Sequence, residues 1–314
     1  MQNKKTLIIL TGPTAVGKTE LSLQLAKAVN GEIISADSMQ VYRFMDIGTA
    51  KIMPKEMRGV KHYLIDVLDP TDDFNVVIFQ QMAKHALEEI YSKGKIPIVV
   101  GGTGFYIQAL LYDTAFEETE ESIYRWELTQ YYNQYGAHML HEKLKEIDPV
   151  SYREIHENNV KRVIRALEFY HDTGYPISRH NTEQRQKESP YNFKYFVLND
   201  KRELLYDRIE KRIDLMIKDG LVEEVKKLLS MGCTKDMVSM QGLGYKEIIS
   251  YLNGECTLEE AVYTLKRDTR HFAKRQLTWF RREREVTWID KSAFSSTSNM
   301  LQFMLQQLAE KHTI

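Results

Sequence analysis

The sequence holds only two cysteines in 314 residues, Cys233 and Cys256, far apart and in no C-x-x-C pair. That excludes a cysteine-built zinc site or an oxidised framework and fits a reducing compartment, and neither cysteine is given a catalytic role. Net charge is missing too. The 43 lysines and arginines face 44 aspartates and glutamates, so no global positive field advertises nucleic acid, and any such site must be local. Long apolar runs are absent: Lys4 and Lys5 precede only the five-residue run 6–10, too short for a signal-peptide core or a membrane span. The expectation is a soluble, cytoplasmic protein with no membrane partner. No internal repeat, long flexible linker or guanine-reading N-K-x-D element occurs.

What is present is an ordered globular composition, with 43% apolar and 28% charged residues over a length that suits about two domains. Residues 6–10 (TLIIL) read as a buried strand stopping at Thr11-Gly12-Pro13, and a helix follows over 19–29, closed by Asn30-Gly31. Further strands are expected at 32–35, 62–65, 96–100, 195–198 and 286–289. The stripe Phe79, Met82, Ala83, Ala86 and Ile90 predicts a helix over 76–93 closed by Gly94. This alternation implies an α/β fold, a parallel sheet with helices on both faces. Between 113 and 190 the strand signals vanish and helical patterns take over, with 15 acidic against 10 basic residues. The reading is a core over 1–112 and 191–314, interrupted by an all-helical insertion over 113–190 whose overall charge does not argue for RNA contact.

Gly12, Pro13, Thr14, Ala15, Val16, Gly17, Lys18 and Thr19 match G-x-x-x-x-G-K-[ST] after an apolar strand and at the opening of a helix. The glycines let several N–H groups converge on phosphate oxygens at the positive helix end, Lys18 adds a point charge, and Thr19 can ligate Mg²⁺. The core is therefore expected to be P-loop nucleoside-triphosphatase-like. Such a loop serves ATP-binding and other nucleotide-binding proteins as well as prenyl-diphosphate enzymes, so it specifies a polyphosphate and not its fate. Asp37 and Asp66 both partly suit a strand-end magnesium carboxylate.

Ligands of open parallel sheets bind beyond the carboxyl ends of the strands. This filter selects Asp37, Ser38, Met39 and Gln40, then Asp66, then Gly101-Gly102-Thr103-Gly104, then Asp200. Asp37 can act as a general base or hold magnesium through water; the competing assignment is the N-cap of a helix over 38–45. The Thr103 hydroxyl offers one directed hydrogen bond or else caps the helix that follows.

From 258 to 280, Leu258, Val262, Leu265, Phe272 and Trp279 recur at helical spacing, which predicts a core face, while Arg267, Arg270, Lys274 and Arg281 fall together roughly opposite. Across 266–284 eight basic residues face two acidic ones. This is either a solvated helix face or a surface for nucleic acid, with Arg275, Trp279 and Arg282 interleaved. A second cluster, Lys161, Arg162, Val163, Ile164 and Arg165, carries the same two readings. Arg208 and Arg212 could approach phosphates or pair with Asp207, Glu210 or Asp214 on their own helix.

As a set, these residues are more specific. GPTAVGKT (12–19), DSMQVYRFMDIGTAK (37–51), HYLIDVLDP (62–70), VVGGTGFYIQALLYD (99–113), NNVKRVIRALE (158–168), GLVEEV (220–225), LGYKEI (243–248) and TRHFAKRQLTWF (269–280) resemble the tRNA dimethylallyltransferase family, also called tRNA isopentenyltransferases, over nearly the whole chain. The resemblance implies a prenyltransferase moving a dimethylallyl group from its diphosphate to the exocyclic amine of the adenosine 3′ of the anticodon, in tRNAs reading codons that begin with U. It further implies that residues 12–19 grip the leaving diphosphate with Mg²⁺ on Thr19 and help from Arg212. Asp37 would accept a hydrogen bond or proton from the amine, and Thr103 would position the base. Ser38, Met39 and Gln40 would lie near the flipped-out adenine, and Lys161–Arg165, Arg270, Lys274 and Arg275 would hold the anticodon stem-loop. A monomer of the bacterial form is expected, since eukaryotic relatives can carry a C-terminal zinc finger and this sequence, ending at Ile314, holds no metal-ligand cluster. Val16 stands where the family has a small residue, and Arg208 remains an alternative to Arg212. The competing functions are a P-loop kinase of a nucleotide or small metabolite, a prenyltransferase of free adenine nucleotides, and a non-enzymatic RNA-binding module.

Overall fold

The computed structural model describes residues 4–116 and 123–311, except the side chain of Arg185; residues 1–3, 117–122 and 312–314, with the chain end at Ile314, lie outside them. The chain divides into two units, Met1–Leu111 with Pro190–Ile314, and Tyr112–Ser189.

The first unit is built on six parallel strands, β1 (Thr6–Thr11), β2 (Gly31–Ala36), β3 (His62–Tyr63), β4 (Ile96–Gly101), β5 (Asn192–Asn199) and β6 (Val286–Asp290), ordered β3-β2-β4-β1-β5-β6. All six expected strands are present. The apolar runs of β1, β2 and β4 are buried almost end to end because helices cover both faces, as parallel sheets require. Strand β3 is cut to two residues because Leu64 and Asp66 take left-handed backbone, at φ 61° and 54°, and leave the sheet.

Helices α1 (Lys18–Ala28), α2 (Val76–Ser92) and α3 (Gly104–Leu111) connect the early strands. After the second unit come α9 (Arg202–Lys218), α10 (Leu221–Ser230), α11 (Tyr245–Leu252), α12 (Leu258–Phe280) and α13 (Thr297–Glu310). α12 opens with a capping box, Thr257 Oγ1 accepting from the Glu260 amide at 3.2 Å and Glu260 accepting from the Thr257 amide at 2.8 Å. Its buried face is Ala261, Leu265, Ala273, Gln276 and Phe280, rotated from the expected stripe. Bulky Phe272 faces a cavity instead. No helix forms over 38–45; turns occupy that stretch.

The second unit is all helical: α4 (Ile123–Glu142, broken at Gly136), α5 (Leu144–Ile147), α6 (Pro149–Glu154), α7 (Val160–Thr173) and α8 (Ile177–Gln186). Leu128, Leu140, Leu144, Val163, Ile164 and Leu167 form its core. Val163 and Ile164 are therefore packing residues and correct the expectation that they touch RNA. Within that cluster the side chains of Lys161 and Arg162 are exposed, and Arg165 leans on the Glu168 carboxylate at 3.5 Å.

Residues 45–50 form a turn held by a side-chain anion. Glu224 on α10 accepts from the amides of Asp46 (2.9 Å), Ile47 (2.7 Å) and Gly48 (3.0 Å) and from the Tyr245 hydroxyl (2.7 Å). Four donors converge on one carboxylate, and replacing Glu224 with alanine leaves them without their acceptor. Urea unfolding should register a loss of about 3 kcal/mol. An unchanged unfolding midpoint would contradict this role.

Candidate active site

The loop between β1 and α1 turns sharply. Ala15 (φ 61°) and Gly17 (φ 97°) take left-handed backbone, so successive amides face inward at the first turn of α1. Lys18 Nζ donates to the carbonyls of Gly12 and Pro13, each at 2.9 Å. Burial, and then the Arg212 guanidinium, hold the Lys18 ammonium down to about 8, with Asp37 pulling the other way. Lys291, just past β6, adds a cation the sequence motif did not flag, donating to the Val16 carbonyl at 2.9 Å.

Beside the loop lies a cavity of about 510 Å³ lined by Thr14, Ala15, Asp37, Ser38, Met39, Thr103, Arg212 and Arg275 among others. Eight candidates from five separate stretches of sequence thus share one wall system. Asp37 Oδ1 accepts from the amides of Met39 at 2.9 Å and Gln40 at 3.3 Å, which ties down a turn and leaves Oδ2 free of any described donor. The Thr103 backbone carbonyl receives the Tyr106 and Ile107 amides at the start of α3, while no described residue engages its hydroxyl. Tyr106 packs between Phe74 and Phe79, and burial followed by the Asp37 charge pushes its hydroxyl up to about 12, so it stays protonated.

The two arginines of α9 separate in role. Arg208 is ion-paired through its Nη2 with the buried Asp200, while its buried Nε has no hydrogen-bond partner among the described residues. Asp207, Glu210 and Asp214 pair with Lys211, Arg270 and Lys266, so Arg212 has no ion-pair partner among the described residues and faces the cavity. Burial, then Arg208, pulls its guanidinium below the usual arginine value. Asp66 is spent on the buried Lys51 at 2.6 Å. Gln40 donates to the Thr49 carbonyl at 3.2 Å and is not part of the cavity wall.

On α12, Arg270 pairs with Glu210 at 2.6 Å, Lys274 is exposed, and Arg275 lies over the Phe272 ring at 5.8 Å. Sequence reasoning missed the apolar wall of Ile209, Ile213, Met216, Leu265 and Phe272. Its signal was the i, i+4, i+7 spacing on α9, indistinguishable there from ordinary core.

For a magnesium ion, the Thr19 hydroxyl is exposed at the start of α1 and engaged by no described residue. No cluster of three or more His, Cys, Asp or Glu occurs among the described residues. That donor set fits a Mg²⁺ completed by phosphate and water oxygens rather than a protein cage.

The fold and loop define a P-loop protein whose glycine loop borders a cavity shared with a carboxylate and an arginine that has no ion-pair partner among the described residues. The chain belongs to the IPP transferase family, whose model matches residues 40–283. A tRNA dimethylallyltransferase of Lachnoclostridium phytofermentans is 60% identical over 309 residues, covering 98% of this chain and 99% of that protein. The crystal structure of the full-length tRNA isopentenylpyrophosphate transferase of Bacillus halodurans is 46% identical, covers 98% of both chains and superposes with a TM-score of 0.74. A eukaryotic dimethylallyltransferase captured acting on tRNA reaches a TM-score of 0.82 at 28% identity, over 98% of this chain and 80% of that one. Among the described residues no helix is long and apolar enough to cross a membrane.

Proposed function

We propose that the protein is a tRNA dimethylallyltransferase that joins the dimethylallyl group of dimethylallyl diphosphate to the exocyclic amine of the adenosine 3′ of the anticodon, in tRNAs reading codons that begin with U. It acts as a cytoplasmic monomer. The observation that carries this reading is a pair of cations beside a cavity that also holds Asp37: Lys18, held below its ordinary pKa by burial and then by Arg212, and Arg212, held below its own by burial and then by Arg208. Two enclosed cations that the single Asp37 carboxylate does not balance make a site prepared for an anion that arrives with substrate.

The N–H groups of the loop over residues 12–19, apart from Pro13, which has none, and Thr14, which donates to Gln276, receive the diphosphate, and Lys18 exchanges its two loop carbonyls for phosphate oxygens. The dimethylallyl tail lies on the Ile209, Ile213, Met216, Leu265 and Phe272 wall, away from water. The adenine, flipped from the anticodon loop, enters beside Ser38 and Met39, where Thr103 Oγ1 bonds it and Asp37 Oδ2 receives an amine hydrogen. The C–N bond forms as the C–O bond breaks, the electron pair leaves on the diphosphate, and the amine proton passes to Asp37. Lys18 and Arg212 stabilise the charge growing on the leaving group. Mg²⁺ on Thr19, when bound, neutralises part of the same charge. Lys161, Arg162, Arg165, Lys274 and Arg275 contact the stem-loop backbone, with Arg270 shared with Glu210.

Pyrophosphate release that requires both dimethylallyl diphosphate and tRNA, with a prenylated adenosine found by mass spectrometry, tests this reading. Turnover of ATP without prenyl transfer would indicate a kinase instead. Because burial and Arg212 hold the Lys18 ammonium down to about 8, kcat/KM for the donor should be flat below pH 8 from this group and fall with a slope approaching −1 above it. A flat profile up to pH 10 would contradict an enclosed Lys18 at the diphosphate.

A further inference from the structure

Gln276 is the one polar residue on the otherwise apolar buried face of α12, at 6% exposure. Its side-chain amide spans two loops. Oε1 accepts from the Thr14 amide of the phosphate loop at 2.8 Å, and Nε2 donates to the Gly102 carbonyl after β4 at 3.0 Å. A Cβ on Gly102 would come within 2.2 Å of Nε2, so glycine there makes room for this side chain. The residue after Gly102 is tied in turn to the acceptor side: the Thr103 amide donates to the Ala36 carbonyl at 3.2 Å, and Asp37 follows Ala36 directly.

We propose that Gln276 is a positioning residue that sets the separation between the phosphate cradle and the Asp37–Thr103 pair, and so the distance between the breaking and forming bonds. The inference rests on the transfer reaction proposed above. Thr14 presents a donor and Gly102 an acceptor, so the bridge needs a neutral side chain that accepts at one atom and donates at another, which a glutamine amide does. Neither partner is a reacting atom. Its removal should therefore leave both substrates binding while the two halves of the site drift, and displacement of about 1 Å costs roughly 100-fold in rate.

Steady-state kinetics of Q276L and Q276E, with thermal melts, test the role. For Q276L, kcat should fall ~10–100-fold while KM for donor and tRNA stays within about threefold. In Q276E the ionised carboxylate still accepts from Thr14 but repels the Gly102 carbonyl. Its protonated form restores both bonds, so the ratio of its kcat to that of the native enzyme should rise as pH falls. A Q276L kcat within twofold of native, or a Q276E ratio independent of pH, overturns the positioning role. If native protein releases pyrophosphate only with both substrates, that failure belongs to Gln276 alone; if native protein releases none, the transfer reading falls and takes this inference with it.

Discussion

Changing Asp37 to asparagine should lower kcat by about 10²–10⁴ and leave the KM for dimethylallyl diphosphate nearly unchanged, the range expected when a positioned proton acceptor is removed. Asparagine is the informative choice because Oδ1 of Asp37 already accepts the Met39 and Gln40 amides, and an amide oxygen can keep both bonds. The turn over 38–40 survives while basicity is lost. Alanine removes the turn contacts as well and should add a rise in KM for tRNA. Single-turnover measurement with saturating donor separates the two effects. An asparagine variant with native kcat would mean that the carboxylate only orients the amine.

The second large effect concerns Arg212. Its replacement by alanine should cost about 10²–10³ in kcat, the scale for losing one preorganised donor to a developing anion. Lysine should recover only part of this, because an ammonium cannot reproduce the guanidinium fork. Arg208, one helical turn earlier, provides the internal comparison. It is committed to Asp200, so Arg208→Ala should lower thermal stability by leaving a buried carboxylate unpaired while kcat changes little. If Arg208→Ala lost more kcat than Arg212→Ala, the roles of the two arginines would be exchanged.

The strands and the phosphate loop were legible because each carries a local signal: a branched apolar run, glycines at left-handed turns, and a lysine at the helix start. Even α12 has the bounds its pattern predicts, Leu258 to Phe280. Its facing was not legible. Periodicity ranks side chains by apolarity, whereas packing against the neighbouring helices α11, α9 and α3 selects by volume, and small Ala261 and Ala273 lie inward while Phe272 lines the cavity. Val163 and Ile164 show the converse, apolar residues inside a basic cluster that fold into the core of their own unit.

At the site, Asp37, Thr103 and Arg212 could be found by the rule that ligands lie beyond strand ends or by family motifs. Gln276 and Glu224 could not be found by that rule, and Lys291 directly follows β6, a strand end at which no residue was selected. Each acts on backbone atoms distant in sequence, Gln276 on Thr14 and Gly102, Glu224 on Asp46–Gly48, and Lys291 on Val16. Backbone partners leave no residue-type signature, so only the fold reveals these contacts.

In the function proposed above, the loop over residues 12–19 holds the group that leaves. A crystal structure with a sulfur-bridged, unreactive analogue of dimethylallyl diphosphate measures this directly. Both phosphorus atoms should lie against the loop amides, in contact with Lys18 and Arg212, with the first prenyl carbon directed toward Asp37 and Thr103. Density for the diphosphate at any other place, or a prenyl carbon turned away from Asp37, would contradict the account.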